Sequence, residues 1–154
     1  MTTLWLRFEI GELDCAIPLD MVAEVTGADQ PRLIPLVPRR CGGILNIRGE
    51  PLPVVDGGML FCGEPRDGYQ HVLVIESDLG RIGILVGHVS RLDQNVPAKP
   101  AEEELDPEGA PVYWVDHGGK KLGLVEPQAL IERARTLLMG RDSQMGEGPC
   151  RNAY

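Results

Sequence analysis

The chain has 154 residues and a formal net charge of −8, with 15 Lys and Arg against 23 Asp and Glu. The length suits one domain or two very small ones and allows a core that needs no disulfide staples. The acidic balance argues against a nucleic-acid binder, which needs clustered cations for phosphate, and equally against docking on an anionic membrane.

At the N-terminus, MTTLWLRFEIGEL lacks the basic start, long apolar run and small-residue cleavage site of a signal peptide. No apolar stretch approaches the roughly 18 residues that a spanning helix requires. A cytoplasmic protein without membrane insertion is expected, and the cysteines Cys15, Cys41, Cys62 and Cys150 are read as reduced thiols, Cys15 as a small core residue.

From Leu4 to Ile10 the residues Leu4, Leu6, Phe8 and Ile10 alternate with Trp5, Arg7 and Glu9, the period of a half-buried strand. Gly11-Glu12 reads as a turn and Leu13 to Ile17 as a second strand ended by Pro18. The following LDMVAEV fits either a short helical turn or continued extended chain. Three prolines in DQPRLIPLVP predict a loop or sheet edge.

Gly42-Gly43 opens a strand over Ile44 to Ile47, Gly49 marks a turn, and Pro51 to Val55 forms the next strand. Arg48 stands out there, because a long charged side chain is rarely buried without a partner. Either it has a structural partner, or it is held at a surface that something else meets. Asp56 is placed to cap the short segment GGMLF. His71 to Glu76 and Arg81 to Val86, joined by SDLG, predict a hairpin, and Val89 to Val96 a further strand.

Residues 97 to 109, PAKPAEEELDPEG, read as a solvated connector. Val112 to Val115 and Lys121 to Val125 form a last strand pair, and PQALIERARTLLMG is the one convincing helix. Pro127 starts it, Leu130, Ala134, Leu137 and Leu138 share a face, and Gly140 stops it. Residues 141 to 154 read as a frayed tail. About nine or ten short strands and one terminal helix predict an all-β fold, best accommodated as two small barrels sharing a core.

Catalytic signals are sparse. There is no GxSxG elbow, and Cys62–His71 and Cys41–His88 are the available thiol–base pairings, with no local motif behind either. His88, Asp93 and His117 lack the close spacing of zinc ligands. DGG and HGGK lack the phosphate-loop pattern and read as hairpin turns. No catalytic residue, cofactor or metal is assigned, although a pair of carboxylates at catalytic distance stays open.

The stretch GILNIRGEPLPVVD resembles the CheW-like family, the adaptors of bacterial chemosensory arrays. Gly43, Asn46, Arg48, Gly49, Pro53, Val54 and Asp56 match its motif in order. FEIGELDCAIPLDMVAEV, LIPLVP, RIGILVGHV and KKLGLVEPQALI resemble its other segments, so the likeness covers about residues 4 to 135. It differs in having Gly87 where the family usually carries aspartate, and Gly57-Gly58 where it tends to have an apolar residue.

The resemblance implies two packed SH3-like β-barrels with a short C-terminal helix; a CheW-like domain is expected over 1–140, with the polar, glycine-rich 141–154 as a flexible tail. It implies no reaction. The expected task is coupling the cytoplasmic tip of a chemoreceptor to the regulatory domain of a CheA-type histidine kinase in an array. By the same resemblance the protein-binding residues are Arg48, its acidic partner Glu24 and the apolar contact Val22. Asn46, Gly49 and Asp56 are assigned structural roles. Two other readings remain: an adaptor of the same fold in motility or second-messenger signalling, and a small β-barrel enzyme.

Overall fold

A computed structural model describes residues 3–27, 42–66, 68–78, 80–97 and 104–139. The proline-rich stretch 29–38, Cys41, Cys150, residues 98–103 of the acidic connector, Gly140 and the tail 141–154 lie outside the described residues.

Among the described residues ten strands and two α-helices follow one another. The strands β1 (Trp5–Ile10) and β2 (Leu13–Pro18) are joined at Gly11, whose φ of 59° no bulky residue adopts cheaply. After Pro18 both readings of LDMVAEV are realised in turn. A 3₁₀ turn over Leu19–Met21 leads directly into β3 (Val22–Gly27).

Next come β4 (Gly42–Ile47), β5 (Glu50–Asp56), α1 (Gly57–Cys62), β6 (His71–Ser77) and β7 (Gly80–Val86). The chain finishes with β8 (Val89–Asp93), β9 (Val112–His117), β10 (Lys120–Val125) and α2 (Pro127–Met139). The strand expected from Val89 to Val96 stops early, because Asp93 turns its carboxylate onto the Asn95 amide and ends the extended run.

The strands form two five-stranded sheets, in the orders β8-β1-β2-β10-β9 and β3-β6-β7-β5-β4. Each has one parallel contact, β2 with β10 and β5 with β7; the remaining neighbours are antiparallel. These are the two SH3-like barrels, called here the first and second barrel in that order. The edge strands are β8 and β9 in the first and β3 and β4 in the second.

Among the described residues three cores account for the burial. The largest lies between the sheets and joins Phe8, Cys15 and Ile17 to Leu73, Ile75 and Ile84. Both helices contribute to it: Met59, Leu60 and Phe61 from α1, and Leu130, Ala134 and Leu137 from α2, with Leu138 half-buried beside them. Phe8 and Phe61 meet edge-to-face at 5.8 Å. The second barrel has its own core of Leu45, Leu52, Val54, Val72, Val74 and Leu85, and the first a smaller one of Ala16, Val115, Leu122 and Leu124.

This division explains the unbroken apolar run of β6. Val72 and Val74 face the inside of their barrel while Leu73 and Ile75 face the shared core, so both faces of the strand are buried. The acidic connector is also more than solvated chain. Asp106 accepts the Trp114 indole N–H at 2.9 Å and the backbone N–H groups of Glu108 and Ala110 at 3.1 and 3.2 Å, tying the connector to β9.

Candidate functional site

The β4–β5 hairpin turns in two residues, Arg48 and Gly49, between the paired Ile47 and Glu50. Both have positive φ, 52° and 83°, the signature of a type I′ turn. Glycine takes such a conformation freely; an arginine pays about 1–2 kcal/mol for it. The turn is held from below by Asn46, whose side-chain oxygen accepts the Gly49 N–H at 2.9 Å. Arg48 is the one non-glycine residue with positive φ among those described, and strain of this kind points to a task at the position.

The Arg48 side chain is 72% exposed, and its Nη2 donates to Glu24 Oε1 at 2.6 Å. Glu24 reaches it because β3 carries a bulge. Val22 pairs with Ile75 but Glu24 with Val74, so one residue is skipped. Without it, Val22 and Glu24 would share a face. With it, Val22 packs half-buried against the core between the sheets, while Glu24 turns to the mouth of the second barrel. The structure thus brings Arg48 and Glu24 together and places Val22 on the other side of the strand.

The mouth is an open cavity of ≈ 380 Å³. Ile47, Pro51, Leu52 and Val74 form its apolar lining, and Glu24, Arg48, Glu50 and Arg81 its polar one. Arg81 was not expected from the sequence. Its Nη1 lies 3.8 Å from Glu24 Oε1, while its Nε and Nη2 donate to Glu76 Oε1 at 3.2 and 3.1 Å. The signal was present in the SDLG hairpin, whose register sets Glu76 opposite Arg81.

Glu24 and Arg48 come from the two edges of their sheet, so their ion pair crosses the seam of the second barrel. The first barrel has a counterpart. Asp93, on edge β8, stands 3.6 Å from His117 Nε2 on edge β9, with Arg7 at 3.1 Å and Arg91 at 4.0 Å. The Asn95 amide, with Arg7, Arg91 and His117, outweighs burial and holds the Asp93 carboxyl below its ordinary range. Asp93 and His117 are therefore neighbours, but the acid is surrounded by cations. Among the described residues no three His, Cys, Asp or Glu form a metal-ligating group.

Of the thiol–base pairs, Cys41 lies outside the described residues. His71 Nδ1 is 3.1 Å from the Gly87 carbonyl, and its partner in sequence reasoning, Cys62, is half-buried at the end of α1. Cys15 is fully buried, and that burial, before the nearby Cys62 and Asp14, pushes its thiol far above the ordinary range.

Asp56 caps α1 as expected, accepting the Met59 N–H at 3.1 Å. Sequence reasoning missed its second partner, the Tyr69 hydroxyl. At Gly87, where a carboxylate is absent, the backbone N–H donates to the Glu9 carbonyl at 2.8 Å and ties β7 to β1. A Cβ there would stand 3.0 Å from that same oxygen.

No helix among the described residues is long and apolar enough to cross a membrane. A family model described as CheW-like domain matches residues 4–134. Among solved structures, the scaffolding protein TtCheW from Thermoanaerobacter tengcongensis is similar, with a TM-score of 0.66 at 21% sequence identity. The match covers 82% of this chain and 85% of that one.

Proposed function

This chain belongs to the CheW-like domain family, and on that footing we propose that it is a non-catalytic adaptor joining the cytoplasmic tip of a chemoreceptor to the regulatory domain of a histidine kinase. The family is one of scaffolds, so geometry replaces reaction. Modest contacts to each partner become effective through a lattice, because linked sites raise one another's effective concentration. Such an adaptor works in the cytoplasm, with residues 1–140 as the docking unit.

The observation that carries this reading is the placement of Arg48. A cation at the tip of an edge hairpin, in a conformation that favours glycine, is 72% exposed beside a half-buried carboxylate. The planar guanidinium engages Glu24 through one nitrogen and keeps further donors for a partner's carboxylate or backbone carbonyls. Glu24 orients it. Val22, half-buried one bulge away, is the apolar contact position of the proposal.

Co-sedimentation with a receptor-tip fragment and a histidine kinase tests the proposal. Arg48→Ala is expected to release the adaptor from the pellet while its circular dichroism and melting stay those of the parent. Undiminished co-sedimentation of the folded variant removes Arg48 from the docking site.

A further inference from the structure

We propose that Arg81 is a positioning residue of the docking site: it holds Glu24 in place when a partner's carboxylate draws Arg48 away. The proposal rests on the adaptor reading above and names a device within the same site. Among the described residues Glu24 lies within reach of two guanidinium groups, Arg48 at 2.6 Å and Arg81 at 3.8 Å. They are held in very different ways. Arg48 rides on a two-residue turn at the end of an edge strand. Arg81 stands on β7, hydrogen-bonded between β6 and β5 in the interior of the sheet.

Arg81 is also aimed. Its Nε and Nη2 are occupied by Glu76, leaving Nη1 on the side of Glu24. Glu24 thus has one cation able to leave and a second anchored in the sheet.

The consequence follows from charge. The Glu24 side chain is 25% exposed, so leaving it unpaired costs more than for a fully solvated acid. Glu50 lines the same cavity and Glu76 lies beside it. Removal of Arg48 toward a partner's carboxylate would otherwise set that carboxylate against three acids. With Arg81 present, Glu24 exchanges one guanidinium for the other and the mouth of the barrel keeps a compensating charge. The ligand class is accordingly a carboxylate-bearing protein segment.

Two measurements test this. In the isolated protein, the Nε–H signal of Arg81 is followed by heteronuclear NMR in the parent, in R48A and in R48A/E24Q. In R48A the signal is expected to move and its solvent exchange to slow about two- to five-fold, the range of an exposed ion pair, with parent behaviour restored in R48A/E24Q. An Arg81 signal unchanged by R48A overturns the proposal whatever the protein binds.

In the second measurement, R81A is expected to weaken binding of a receptor-tip fragment about two- to five-fold, and R81K to restore most of it. Equal affinities for R81A and parent also overturn the proposal. If R48A leaves fragment binding intact while the NMR response is present, the docking reading fails and Arg81 has no role in it. The exchange of Glu24 between two arginines then stands alone.

Discussion

Tyr69 donates its hydroxyl proton to Asp56 and, on the same oxygen, accepts the Gly58 N–H at 2.9 Å. The residue just ahead of β6 thereby clamps the first turn of α1, the helix that enters the core between the barrels. Asp56 is buried there among neutral donors, and burial, partly offset by the bonds from Tyr69, Met59 and Gly58, pushes its carboxyl up to about 6.

The sign of the resulting pH dependence is fixed. A carboxyl raised above its unfolded value of 3.8 favours the protonated fold, so its contribution to stability declines as pH rises from about 4 to about 6 and is flat above. Denaturant unfolding of Asp56→Asn and parent across that range is expected to show the difference moving in favour of asparagine, by up to about 1.4 kcal/mol for each unit of displacement. A pH-independent difference refutes it. Asp56→Ala, which loses the cap, is expected to cost about 1–2 kcal/mol.

Replacing Arg48 separates a structural arginine from a functional one. Arg48→Gly relieves about 1–2 kcal/mol of backbone strain and loses an exposed ion pair contributing about 0–1 kcal/mol. It also gives up some order in the unfolded chain, so the net change in unfolding free energy is expected to stay within about 1 kcal/mol of zero. Destabilisation beyond about 2 kcal/mol would mark the pair as a structural strut and not a presented group.

The seam of the first barrel behaves oppositely, because its acid is buried. Arg7 and Asp93 have side chains only 14% and 7% exposed. Arg7→Leu is expected to destabilise by about 3 kcal/mol at pH 7, as the carboxylate loses its nearest cation. Asp93 sits below its ordinary range in the fold, so its contribution is complete above about pH 4 and lost as pH falls below that. The cost of Asp93→Asn, followed by thermal melting, should therefore shrink in acid; a cost that is the same at pH 3 and pH 7 contradicts this account.

Gly57 is a matter of space. A Cβ built on it lies 2.2 Å from the Leu85 carbonyl oxygen, a backbone atom of the neighbouring β7. Gly57→Ala is expected to cost about 1–3 kcal/mol by forcing α1 away from the sheet. Unfolding measurements that place it within about 0.5 kcal/mol of the parent show that the helix docks with slack.

Most of the strand pattern was legible because burial imposes a period of two. The alternation in Leu6, Phe8 and Ile10 and the SDLG hairpin follow from local residue order. The cap at Asp56 was legible for the same reason, since its partner Met59 is three residues away. Val22 and Glu24 show the limit. Their spacing of two predicts a shared face, and the bulge that separates them is set by pairing with β6, far along the chain.

Tyr69 beside Asp56, Arg81 beside Glu24 and Arg7 beside Asp93 were invisible for that reason too. Sequence by itself determined which face most strands bury and where most turns fall, β3 with its bulge excepted, because those depend on neighbours a few residues apart. Only the tertiary structure decided which charges meet across the barrel seams, because residues 24 and 48, or 93 and 117, become neighbours only once the sheets curl and bring their edges together.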